Sequence, residues 1–186
     1  MILSYTVNID KNPFYKQLFK SIPSNSTTRY FDKEVKSYIY SLQGQNARVT
    51  LPSDDSKLLA LHQRFLVLHI FVPIGFSWAV EFVMSDLNGT KRRVNITTTQ
   101  GKQEVKYFSF RYPIDNLQKG VWLFLAIDIF SFMTVFKGQT FRSVDQISIS
   151  SSCRLRRIFT MKEFVEYEIP KNYWLAQGIP QEFQLL

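Results

Sequence analysis

The chain has 186 residues, 45% hydrophobic and 20% charged, which fits one globular domain and excludes a disordered or low-complexity polypeptide. A single cysteine excludes an internal disulfide, and apolar runs such as FLVLHIFVPIGF fall short of the roughly 20 residues a membrane helix needs. The net charge of +8 speaks to partners rather than to fold, and it suits nucleic acid, anionic lipid or an acidic protein surface.

In chain order, NPFYKQLFKS reads as a short helix with Phe14, Leu18 and Phe19 on one face, and IPSNSTTRY reads as a polar loop. Residues 1–30 are therefore expected to form an N-terminal extension packed on the body. From Val35 the pattern turns to strands. VKSYIYSL alternates, QGQN turns, and ARVTLP is a short strand ended by Pro52. SDDSKLLALHQ is a polar turn with room for one helical turn, and residues 64–73, RFLVLHIFVP, read as a central strand covered on both sides. Asn88-Gly89 suits a two-residue type I′ hairpin turn, which pairs Asp86 with Lys91 and Val83 with Val94. Alternation then divides Lys91, Arg92 and Arg93 between two faces.

EVKYFSFRYP reads as a further strand, and residues 122–127 as another that passes into a short helix near Asp128, ended by Lys137-Gly138. SVDQISISSSCRLRRIFTMKE gives two strands or one long bent one. The domain body is expected over residues 31–165, with 166–186 an irregular tail held on it by Trp174, Leu175 and Phe183. About eight to ten short strands with one or two short helices predict an all-β, antiparallel β-sandwich or barrel.

Little in the sequence points to catalysis. No nucleophile elbow, zinc-protease, phosphate-loop or dinucleotide motif occurs. His69 lies within an apolar strand and reads as a core or edge residue, and two histidines with one cysteine are a poor zinc set. Cys153 reads as a packing residue, Asp128 as a helix cap, and Asp54-Asp55 as turn residues. A carboxylate pair assembled by folding stays open as an alternative. The N-terminal MILSYTVNID lacks signal-peptide features. With the lone cysteine, this leads to the expectation of a reducing, intracellular compartment, where the sequons at Asn25, Asn88 and Asn95 are chance matches.

SCRLRRIF poses a local puzzle. Cys153 and Leu155 share one strand face, and Arg154 and Arg156 the other. Strict alternation would then turn Arg157 inward and Ile158 outward. A bulge between Arg156 and Arg157 resolves this, and a buried, carboxylate-paired Arg157 is the alternative. Either way Arg154 and Arg156 are expected to stand together on a sheet surface, as solvated stems or as a contact for an acidic partner.

FDKEVKSYIYSLQG, LPSDDSKLLALHQRFLVLHIFVP, SDLNGTKRR and FKGQTFRSVDQISISSSCRLRRIFTMK together resemble the cilia and flagella associated protein 20 domain family, nearest to its branch of larger, tailed domain-containing members. The similarity runs over most of the chain from about residue 30. It implies a jelly-roll sandwich without catalysis or cofactor, and the residues themselves lead to no expected metal site. It also implies a place in the cytoskeleton of the axoneme, basal body or centriole, at the inner junction of microtubule doublets, with the tubulin lattice and neighbouring microtubule inner proteins as partners. The expected partner-binding residues are Arg92, Arg93, Lys137, Arg154 and Arg156. A carbohydrate-binding or other polyanion-binding sandwich is the alternative function. Nucleic acid is not expected, since the aromatics fall mainly at strand-core positions, and neither a membrane nor a small-molecule substrate is expected.

Overall fold

Alternating apolar residues build two sheets that bury their facing sides against each other. The structure, a computed structural model, describes residues 3–8, 19–163 and 181–185. In spatial order the first sheet runs β14 (Gln181–Leu185), β11 (Trp122–Asp128), β6 (Phe65–Phe71), β13 (Cys153–Met161), β4 (Ser37–Leu42) and β3 (Thr27–Asp32), and β1 (Leu3–Asn8) pairs with the far half of β13. The second runs β2 (Lys20–Ile22), β5 (Arg48–Leu51), β12 (Phe141–Ser150), β7 (Ala79–Asp86), β8 (Lys91–Thr97), β10 (Ser109–Pro113) and β9 (Glu104–Val105). One short helix, α1 (Ile129–Thr134), follows β11. The chain changes sheets at each step from β4 to β7 and again from β10 to β13, the winding of a jelly-roll sandwich.

The shared core explains this arrangement. Leu66, Leu68 and Ile70 of β6 and Leu123, Leu125 and Ile127 of β11 pack with Val80, Phe82 and Met84 of β7 and Val94 and Ile96 of β8. Burying each such side chain contributes about 1.5–3 kcal/mol. The outer face of the first sheet is buried as well: Phe65, Val67, Phe124, Ala126, Phe159 and Met161 form a second cluster. The central position of β6, covered on both faces, is as the apolar run predicts.

Several elements differ from the sequence reading. The pairings of β10 with β8 and of β14 with β11 are parallel. Between β8 and β10 the chain first reaches the sheet edge as β9, then turns back antiparallel. IPSNSTTRY contributes most of β3, so the boundary expected at residue 30 falls inside a strand. Lys20 and Ser21, the end of the expected helix, belong to the strand β2, and residues 12–18 of that helix lie outside the described residues. Residues 57–61 form no helical turn. Their backbone instead bonds to β12, with Leu59 N donating to Asp145 O at 2.9 Å and Leu61 N to Val144 O at 2.9 Å. In the expected irregular tail, Gln181–Leu185 is a strand, while Trp174 and Leu175 lie outside the described residues.

The β7–β8 hairpin shows how one side chain selects a register. Asp86 Oδ1 accepts from Asn88 N at 3.0 Å and Thr90 N at 2.8 Å, and Gly89 N donates to Asp86 O at 2.9 Å. Only Gly89 in this loop has positive φ, at 79°. The loop therefore has three residues and a left-handed glycine, not a two-residue type I′ turn. Val83 consequently pairs with Arg93, and Phe82 with Val94. This register places Phe82 and Val94 together in the core, and a one-residue slip would not.

Arg92 pairs with Met84 and so follows the core face to the end of the sandwich. There its Nη2 lies 3.1 Å from Asp86 Oδ2 and its Nη1 donates to Tyr107 O at 3.0 Å, with side-chain exposures of 3% for Arg92 and 1% for Asp86. The rings of Tyr107 and Phe136 flank the guanidinium. Asp128 performs a similar double task at α1. Its carboxylate accepts from Phe130 N, Ser131 N and Ser131 Oγ and from Arg64 Nη2 at 2.6 Å. Burial pushes its pKa up, but the bonds from Arg64 and Ser131 outweigh this and hold it below the ordinary 3.8.

Two outcomes follow for stability. Arg92→Met strands a buried carboxylate and is expected to destabilise by about 3–5 kcal/mol, whereas Asp86→Asn combined with Arg92→Met costs less than the two single changes added together. Urea midpoints of the four proteins measure this. Because the folded pKa of Asp128 is depressed, its contribution is complete above 3.8 and is lost as pH falls through the folded value. Asp128→Asn should therefore destabilise at neutral pH, with the gap to the unaltered protein closing in acid. A gap that persists unchanged under acid would refute the assignment.

Candidate functional site

Cys153 and His69 are committed to packing. Cys153 faces the shared core as a free thiol, and burial pushes its pKa up to about 12. The thiolate is the reactive form, so this sulfur is a poor nucleophile. His69 is fully buried, stacked on Phe124 at 4.3 Å between ring centroids. Burial, reinforced by the positive charges of Arg156 and Arg157, drives its pKa well below 6.5, and the imidazole is neutral. His62 lies outside the strand, with Nδ1 2.8 Å from Arg142 O. Among the described residues no group of three or more His, Cys, Asp or Glu could hold a metal.

The arginines of β13 resolve differently from expectation. A bulge occurs, but it falls between Leu155 and Arg157, so that Arg156 is the extra residue. Leu155 and Ile158 align with Ile70 and Leu68 on the core side, and Arg157 aligns with His69 on the outer side. Because that outer face is itself covered, Arg156 is 4% exposed and Arg157 5%. The expected surface pair is therefore broken up. Arg154 remains half exposed, with its guanidinium 4.7 Å from the centre of the Phe71 ring and Nη1 3.5 Å from Asp32 Oδ2. Arg156 and Arg92, both expected to face a partner, do not present their guanidinium groups at the surface.

Arg93 and Lys137 do reach solvent. Arg93 lies on the outer face of the second sheet, 3.5 Å from Glu81, whose carboxylate also takes Arg48 at 3.0 Å. Next to it opens a groove of about 480 Å³ lined by Asp55, Lys57, Leu58, Val83, Lys91 and Phe108, among others. Its geometry comes from bulges in β12 at Arg142 and Asp145. The second bulge turns Asp145 toward Ser85 and Ser143, which donate to its carboxylate, and lets residues 57–61 run alongside β12 as one wall. The opposite wall is the β9–β10 hairpin, where Phe108 O accepts from Arg93 N at 2.8 Å.

Lys137, at the turn after α1, lines a second cavity of about 420 Å³ with Tyr107, Phe136 and Val105. The hairpin tip thus stands between the two hollows, with Tyr107 73% and Phe108 57% exposed and their rings edge to face at 4.5 Å. The expected site residues consequently occupy three places: Arg154 on the outer face of the first sheet, Arg93 on that of the second, and Lys137 at one end. Lys57, Phe108 and Tyr107 carry no expectation of a site in the sequence, and Lys91 is read there only as part of a divided basic run. The signal for Tyr107 and Phe108 is the aromatic pair within EVKYFSFRYP, which alternation along a single strand would divide between two faces.

Comparison with known proteins gives the family. The CFA20 domain profile matches residues 4–177. The chain is 25% identical over 167 residues to Cilia- and flagella-associated protein 20 of Paramecium tetraurelia, covering 88% of this chain and 86% of that protein. Among solved structures, PfGH50B superposes with a TM-score of 0.41 at 12% identity, over 79% of this chain and 22% of that one. An exo-beta-agarase gives a TM-score of 0.41 at 8% identity, over 88% and 25%. This chain spans only a minor part of the length of those two structures, and likeness so distant carries no argument. The profile match over residues 4–177 is decisive: the chain belongs to the CFA20 domain family.

Proposed function

We propose that this protein is a non-catalytic structural component of cilia or flagella that binds the microtubule wall. Its place is at or near the inner junction between A- and B-tubules of doublets, or in the equivalent wall of centriolar triplets. Its partners are the tubulin lattice and neighbouring microtubule inner proteins. The observation that carries this reading is membership of the CFA20 domain family over residues 4–177, together with a relative named Cilia- and flagella-associated protein 20.

Charge supports it. Residues 19–163 hold 20 Lys and Arg against 11 Asp and Glu, so the positive excess lies in the sandwich and not in a terminal basic tract. Tubulin is acidic, and a lattice repeats the same contact many times. Each contact then needs little affinity, because bound neighbours raise the effective concentration of the next. Individual exposed ion pairs contribute about 0.2–1 kcal/mol, a scale suited to such a repeat. Arg93, Lys137 and Arg154 are the expected contact residues that remain exposed in whole or part.

The purified protein should co-sediment with ciliary doublets at low salt. Raising ionic strength from about 0.1 M to about 1 M shortens the screening length from about 10 Å to about 3 Å and should release most of it. Failure to sediment at low salt, or a bound fraction indifferent to salt, would sink the reading. Arg156→Glu is unsuitable as a probe, since it would place a carboxylate at a position 4% exposed.

A further inference from the structure

We propose that the groove between residues 55–58 and the β9–β10 hairpin binds an extended, acidic polypeptide segment that carries an apolar side chain. This rests on the microtubule-wall reading only for the source of the segment. The groove is argued from its own chemistry.

Its shape suits an extended chain. Val83 of β7 and Gln146 of β12 form the floor, with Leu58 on one wall and Phe108 and Ser109 on the other. The cleft crosses β12, β7, β8 and β10, three inter-strand spacings or about 14 Å, which matches about four residues of extended chain at roughly 3.4 Å each. A volume of about 480 Å³ holds a few side chains and not a folded domain.

Its charges favour carboxylates. Lys57, Lys91 and Arg93 stand along the cleft. Among the described residues no carboxylate pairs with Lys91, while Arg93 and Arg48 share the single carboxylate of Glu81. An incoming carboxylate therefore meets donors whose charge is only partly offset. The same inventory argues against a uniform polyanion: Asp55 and Asp145 line the groove beside these cations, and a continuous run of phosphates would be driven onto them. A peptide can set its carboxylates on Lys91 and Arg93 and turn an apolar side chain between them. Leu58 at 55% exposure and Phe108 at 57% offer that side chain a surface, and an exposed aromatic beside a cleft is a typical anchor of protein contacts.

The test is fluorescence anisotropy with a fluorescein-labelled, glutamate-rich peptide containing one central phenylalanine, titrated with the full chain. Saturable binding is expected, weakened about tenfold or more by Lys91→Glu and by Phe108→Ser, as for contacts at the centre of an interface. Lys33→Glu makes the same charge change on the exposed β3–β4 turn of the other sheet and should leave binding unaltered. Thermal melts of each variant confirm folding. Co-sedimentation of the same variants separates the two readings. Unaltered protein that binds the peptide but not doublets overturns the microtubule reading and upholds the groove. The groove assignment is overturned by absence of saturable binding, by equal loss in Lys33→Glu and Lys91→Glu, or by a labelled polyphosphate that binds more tightly than the peptide.

Discussion

The packing of β6 and β11 against β7 and β8 is the interaction on which the other features depend. Leu66, Leu68, Ile70, Leu123, Leu125 and Ile127 supply one side, and Val80, Phe82, Met84, Val94 and Ile96 the other. Strand side chains alternate strictly, so keeping these residues inward forbids any one-residue slip of a strand. Where the sequence breaks the alternation, the backbone yields instead. β13 inserts Arg156, and β12 inserts Arg142 and Asp145, each as a local bulge that returns the following apolar residue to the core.

Those bulges also shape the surface. At β12 the disturbance frees backbone groups that residues 57–61 take up, and the loop becomes a groove wall. At β13 it sets Arg156 and Arg157 beside His69, where burial first, and then these two positive charges, keep the imidazole neutral. Requirements of the core thus decide where the basic groups emerge.

Neighbouring arginines in one short run end in unlike roles for this reason. Arg92 follows the core face and closes the end of the sandwich with Asp86, while Arg93, one residue on, reaches solvent and shares Glu81 with Arg48. A buried pair is costly to break from one side only, whereas an exposed charge changes little in the fold and is available to a partner. This division makes a basic surface compatible with a well-satisfied interior. It also means that a count of cations overstates how many can meet a partner.

Much of this was legible in local pattern. The apolar run of β6 announced a strand covered on both faces, Asp128 before an apolar turn announced a helix cap, and Cys153, the one cysteine and a residue type commonly buried when free, announced a packed thiol. These depend on residue type and on near neighbours in sequence, and sequence alone determined them, along with the two-face division of Lys91, Arg92 and Arg93. Tertiary structure decided the rest. The β7–β8 register hinged on Asp86 capturing the amides of Asn88 and Thr90, which competes with the type I′ turn that Asn-Gly suggests. The burial of Arg156 hinged on the first sheet being covered on its outer face as well, and alternation cannot say which face of a sheet meets water. The groove joins Leu58, Val83, Lys91, Phe108 and Gln146, five positions spread over some ninety residues. Only the pairing of distant strands brings them together, because no local periodicity records which strands will be neighbours.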